Sequence, residues 1–155
     1  MGLSILPMDL THCRSVSRII QNCFNRFDRD AARQEIFLTL KCEKFGLRYN
    51  QRFWVACVDK RVVGFIGIEY AADMWISWFA VDKKFQGMGF GKTLFEHFLH
   101  EAAKTKAKRI NIECGSLPRF KKVNSMYKRY GFKEVFRIPN YWPKGDHLIV
   151  MSKRI

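Results

Sequence analysis

The chain has 155 residues, 48% of them hydrophobic and 14 of them phenylalanine, which suits one domain with a proper core and excludes a disordered chain. Its 28 Lys and Arg against 14 Asp and Glu leave a net charge of +14, which favours anionic partners, and no apolar run approaches the ~20 residues of a membrane span. Five scattered cysteines, Cys13, Cys23, Cys42, Cys57 and Cys114, have no zinc or redox spacing and are read as reduced thiols, with no metal site expected.

The N-terminal residues have no basic lead, are too short for a secretory signal and do not complete a myristoylation pattern, so a cytoplasmic protein is expected. Residues 3–6, before Pro7, read as a first strand. Asp9 opens a helix with Val16, Ile19, Ile20, Cys23, Phe24 and Phe27 on one apolar face, and a second helix is expected over about 30–42 with Ile36, Phe37 and Leu40 inward. Residues 52–58 and 61–70 flank Asp59-Lys60 as a hairpin, in which Gly64 and Gly67 mark a close backbone approach or a bulge. Residues 74–81 make the next strand of an antiparallel meander.

Three glycines at alternate positions follow, Gly87, Gly89 and Gly91, leading into a helix over about 89–105 with Leu94, Phe95, Phe98, Leu99 and Ala102 on one side. Strand, glycine loop and helix is the order an anion site needs: the first amides of a helix have no internal partner, and glycine lets a ligand approach them. Each charged hydrogen bond there contributes roughly 1.5–3 kcal/mol. Lys92 adds a formal charge at the end of the loop. The dinucleotide spacing is not met, because the glycines alternate, and the nucleotide-hydrolase loop is not met, because Gln86 stands where its first glycine belongs.

Beyond the helix, residues 109–114 read as a strand parallel to 74–81 across a helical crossover. Leu117-Pro118 introduces a helix to about Tyr130, stopped by Gly131 in a left-handed cap. Residues 132–138 and 148–152 are the final strands, joined through a connection over 139–146 rich in aromatics and turn formers. From Lys104 onward there are 14 Lys and Arg against 3 Asp and Glu, so nucleic acid or the ribosome is a candidate partner beside a merely solvated basic surface.

The pattern Gln86-x-x-Gly89-x-Gly91, preceded by Phe79-Ala80-Val81-Asp82 and followed by Tyr127-Lys128-Arg129-Tyr130-Gly131-Phe132, resembles the GNAT superfamily of N-acetyltransferases. The resemblance covers residues 75–155. It implies an α/β fold with a mixed sheet of about six to seven strands, splayed between the fourth and fifth and flanked by about four helices. It implies acetyl-coenzyme A (acetyl-CoA) as cosubstrate, its pyrophosphate on Gln86, Gly87, Met88, Gly89, Phe90, Gly91 and Lys92 and its pantetheine arm on the strand edge at Phe79, Ala80 and Val81. The first two helices and the 139–146 hairpin would border an amine acceptor. A dimer is compatible with the pattern.

Acetyl transfer to an amine needs a deprotonated nucleophile: removing the proton at neutral pH costs about 1 kcal/mol for an α-amine and roughly 4–5 kcal/mol for a lysine. Glu113 alternates with Ile110, Ile112 and Cys114, so its carboxylate leaves the other face of its strand. The family's protein N-terminal members carry a glutamate at a similar place, which makes Glu113 the candidate base, with Glu69 second and an ion pair to a nearby Lys or Arg as the alternative. Tyr127, four residues before Gly131, matches the family's general acid. Phe120 stands where many relatives have asparagine, and Asn124 is not given that role. His97, His100 and Glu101 are read as a solvated helix surface, and Asp146-His147 as a surface turn beside the hairpin.

Overall fold

The computed structural model of the protein describes residues 2–47 and 49–155. Its centre is a seven-stranded mixed sheet in the order β1-β2-β3-β4-β5-β7-β6, made by β1 (Leu3–Pro7), β2 (Gln51–Val58), β3 (Arg61–Tyr70), β4 (Met74–Val81), β5 (Arg109–Cys114), β6 (Lys133–Trp142) and β7 (Asp146–Arg154). The β4–β5 pair is parallel, and every other pair is antiparallel. The crossover runs through α3 (Phe90–Ala103), as parallel neighbours require. Asp59 and Lys60 both take positive φ, which lets a two-residue turn close the β2–β3 hairpin.

Each face of the sheet carries its own core. On one, α3 and α4 (Lys121–Arg129) cover Ile66, Ile68, Met74, Ile110 and Ile112 with Leu94, Phe95, Phe98 and Tyr127. On the other, α1 (Cys13–Cys23) and α2 (Arg26–Lys44) cover Phe53, Val55 and Phe65 with Val16, Ile19, Ile20, Ile36 and Leu40. Burying each of these aliphatic and aromatic side chains stabilises the fold by about 1.5–3 kcal/mol before chain entropy is subtracted.

Several expected boundaries shift. Asp9 caps a 3-10 turn over Leu10–His12 before α1 begins. The second helix starts at Arg26, because the Asn25 side chain accepts from the Asp28 N–H at 3.0 Å and opens it early. That places Phe27 in its first turn, 78% exposed, and the helical period that buries Ala32, Ile36 and Leu40 turns Phe37 to solvent. β6 continues to Trp142, so the turn between the last two strands is only Pro143–Gly145. α4 ends as expected: Gly131 has φ +87°, and the Phe132 N–H reaches the Tyr127 carbonyl at 3.1 Å.

Candidate active site

β4 and β5 are in register at Met74↔Ile110 and Trp75↔Asn111 and then part, leaving the ends of both strands unpaired with each other. On its other side β4 stays bound to β3 through a bulge: Ile68 opposes Ile76 and Ile66 opposes Phe79, so Ser77 and Trp78 together face Gly67. Gly67 is required there, since a Cβ would strike the Phe53 ring and the Ser77 hydroxyl. The extra residue reverses the alternation, so Ile76, Phe79 and Val81 pack on the α3 side while Trp78 and Ala80 pack on the α1–α2 side.

The Asp82 N–H donates to the Val63 carbonyl at 2.8 Å. By ladder alternation Phe79 and Val81 direct their N–H and C=O groups away from β3, into the gap. The Val81 carbonyl is already engaged by the Gln86 side-chain amide at 2.9 Å and the Cys23 thiol at 3.4 Å. What the β4 edge offers is therefore mainly donors.

Gln86 thus turns back on β4 and fixes the start of the loop. Gly87 and Gly89 have φ of +80° and +90° with open space where a Cβ would sit, so glycine is needed for backbone conformation rather than for room. A Cβ on Gly91 would meet Val81 and Phe79 at 3.5 and 3.6 Å, ordinary contact. Gly89 caps α3 without a side chain and its carbonyl takes the Thr93 N–H at 3.1 Å. Among the described residues the N–H groups of Gly87, Met88, Gly89, Phe90, Gly91 and Lys92 have no acceptor within the chain. The helix dipole adds to their pull on an anion. Met88 is exposed, and Lys92 lies 3.7 Å from Glu96 on the helix surface.

Tyr127 is buried on the inner side of α4, its ring against Phe95 and Phe132, with Cys114 at the splayed end of β5 in the same core. Its hydroxyl has no hydrogen-bond partner among the described residues. Burial, with a contribution from Cys114, pushes the phenol above its ordinary range and keeps it protonated. Cys114 is no exposed thiol: it is 8% exposed, and burial pushes it up to about 12, so it stays protonated and unreactive.

Glu113 projects to the other side of β5, exposed, and forms no ion pair among the described residues. Tyr127 and Glu113 therefore flank one splayed strand from opposite faces. Glu69 sits one strand further back, opposite Trp75, with the Asn50 amide 3.5 Å away. The residue in the family's asparagine position, Phe120, lies over Gly115, where a Cβ would overlap its ring. Asn124 donates to the Gly115 carbonyl at 2.8 Å, and its amide oxygen is buried without a partner.

Two features have no signal in the sequence. Asp146 is 2% exposed, and its carboxylate accepts from the Ser116 N–H at 2.6 Å and the Leu117 N–H at 3.2 Å, tying β7 to the turn after β5. It is a buried cap, not part of a surface turn. Glu35 of α2 accepts from the Trp78 indole N–H at 2.6 Å and from the Gln51 amide. His97, expected at the surface, packs edge-on against Trp54 with Nε2 buried, far round on the α3 side. Burial lowers its affinity for a proton. Among the described residues no group of His, Cys, Asp or Glu is arranged to hold a metal, and no helix is long and apolar enough to cross a membrane.

Comparison with known proteins bears on this arrangement. A GNAT-family protein from Desulfovibrio desulfuricans is similar in structure at 18% identity, covering 99% of each chain with a TM-score of 0.86. The ribosomal-protein-S18-alanine N-acetyltransferase of Escherichia coli is similar at 18% identity, covering 99% of this chain and 94% of its own, TM-score 0.79. The PaiA N-acetyltransferase of Thermoplasma acidophilum, solved with coenzyme A, is similar at 14% identity over the whole of both chains, TM-score 0.76. No curated protein matches the chain by sequence. The model of the acetyltransferase (GNAT) domain matches residues 49–134, which contain the bulged strand, the splay, the glycine loop and Tyr127. The chain belongs to the GNAT acetyltransferases, a family of acyltransferases.

Proposed function

We propose that the protein transfers an acetyl group from acetyl-CoA directly to a primary amine of a small molecule or peptide. The observation that carries this reading is two sets of unpaired donors, the Phe79 and Val81 strand edge and the amides of 87–92, with the Phe79 and Val81 side chains packed on the same core as a buried phenol. It fits a long donor with a pyrophosphate at one end and a thioester at the other. Acetyl-CoA supplies an activated acyl carbon and a thiolate leaving group.

The loop amides bind the pyrophosphate, each such bond contributing roughly 1.5–3 kcal/mol. A free N–H on the β4 edge polarises the thioester carbonyl and receives the charge that develops on its oxygen. Glu113 takes the proton released by the amine as the new C–N bond forms and the C–S bond breaks. Tyr127, held neutral by burial, gives its hydroxyl proton to the departing sulfur. The two proton transfers take place on opposite faces of β5, which keeps base and acid from exchanging a proton directly.

A second reading, transfer to a protein N-terminus or an aminoacyl-tRNA, is favoured by the basic last third of the chain, which would dock RNA or the ribosome. The test is an acetylation screen across small amines, peptides and aminoacyl-tRNA, with calorimetry of acetyl-CoA binding. Micromolar acetyl-CoA binding with turnover of an amine is expected. Salt-sensitive RNA binding without affinity for acetyl-CoA would instead mark a noncatalytic module on the same fold.

A further inference from the structure

The α1–α2 side of the sheet holds an anion that the chain itself leaves unbalanced. The part-buried Glu35 carboxylate has two partners, the indole N–H of Trp78 and the amide of Gln51, both neutral. Among the described residues no Lys, Arg or His lies within ion-pair distance of it, in a chain where basic residues outnumber acidic ones two to one. A carboxylate has about four acceptor sites, so capacity remains for a ligand.

A second observation lies on the same face. Asn111 stands at the last β4–β5 register before the splay, opposite Trp75, and alternates with the core-facing Ile110 and Ile112. It is only 8% exposed, yet its side chain has no hydrogen-bond partner among the described residues. Its amide atoms are not sealed off from solvent, so they are free to meet a ligand at the splay. The Ser77 hydroxyl in the β4 bulge is buried without a partner beside Gly67, closed off from solvent. Trp78 and Phe24, their ring centroids 5.5 Å apart, pack together on the same α1–α2 side. Across the splay, Glu113 supplies a second carboxylate on this face.

We propose that Glu35 determines acceptor specificity by binding a second positive charge on the acceptor, while the amine that reacts lies towards Glu113. The acceptor class is then a small diamine, its polar and cationic groups met by Asn111 and the Trp78 face. This rests on the acetyltransferase reading above. Glu35 also holds Trp78, and a purely structural role predicts lost stability on substitution without any change in selectivity between amines.

The test is calorimetric titration of linear diamines, from 1,3-diaminopropane to 1,8-diaminooctane, and of the monoamines of equal length, into the protein with and without coenzyme A. The expected result is a diamine that binds about tenfold tighter than its monoamine, as one partly buried charge pair supplies. In Glu35→Gln that preference falls to about one while acetyl-CoA affinity is unchanged. Raising salt in the wild type erodes the same preference, which keeps the test decisive if the variant is poorly folded. Equal binding of diamines and monoamines, a preference that survives Glu35→Gln in a folded variant, or one indifferent to salt overturns the proposal. Failure of the wild type to bind acetyl-CoA would overturn the acetyltransferase reading instead, and the titrations without coenzyme A would still judge Glu35.

Discussion

The proposed donor side and the proposed acceptor side of this molecule are built from different parts of the chain. On the donor side, 14 consecutive residues from Phe79 to Lys92 present backbone: two strand amides, two glycines in the left-handed region and the open first turn of α3. On the proposed acceptor side the groups are side chains drawn from α2, β4 and β5, far apart in sequence, Glu35, Trp78, Asn111 and Glu113, with Asp146 of β7 fixing the turn after β5. A backbone site depends on conformation, so only residues that change φ and ψ disturb it. A side-chain site depends on identity at every position. The first tolerates wide sequence change, and the second is where members of one fold can differ in what they accept.

The sharpest way to probe the boundary between the two is Tyr127→Phe. Turnover is expected to fall about 10²–10⁴-fold, the usual contribution of a positioned acid. Because the hydroxyl has no partner within the described chain, unfolding stability should change by less than about 1 kcal/mol. Undiminished turnover would remove Tyr127 as the acid. Next in size, Asp146→Ala leaves the Ser116 and Leu117 amides unmatched and should cost about 3 kcal/mol in urea unfolding while sparing acetyl-CoA affinity. An equal loss of acetyl-CoA binding would show that the two sides are not separable in this way.

On the donor side, Gly89→Val forces a β-branched residue to φ +90° and should weaken acetyl-CoA binding by about 1–3 kcal/mol in calorimetry. Gly89→Asn, which tolerates that region better, should lose less. If the two variants bind equally, conformation is not what the loop requires. The smallest effect is the one read between pH 8 and pH 10. Cys114 is raised by burial from its ordinary 9.0 to about 12, so above pH 9 the unfolded thiol ionises while the folded one does not. Stability should then fall with a slope of up to about 1.4 kcal/mol per pH unit between those values and be unaffected below pH 9. Cys114→Ala should flatten that slope in denaturation curves taken at pH 8 and pH 10.

The same contrast explains how much was legible in the sequence. The seven strands, the parallel crossover and the glycine loop were visible because each rests on a period, a turn residue or a glycine spacing, while the splay came only with the family resemblance. Gly67 was noted as a bulge or a close approach and is both, because the doubled residue and the small one share a position. Phe37 was misplaced inward because hydrophobicity alone does not settle a helical face when Ile36 and Leu40 already fill it. Asp146 looked like part of a turn because nothing in its neighbours announces that residues 116 and 117, thirty positions earlier, lack acceptors. Glu35 was passed over for a similar reason: its partners are 16 and 43 residues away. Long-range pairing leaves no local trace.

The doubled residue in β4 has an outcome that reaches past hydrogen bonding. Drawing the bulge out flat with every residue kept would restore strict alternation and, from residue 78 on, exchange the two inventories of side chains: the indole would turn to the α3 side and Phe79 to the α1–α2 side. The doubled position in this one strand, more than the identity of any residue in it, sorts which ring faces which pair of helices.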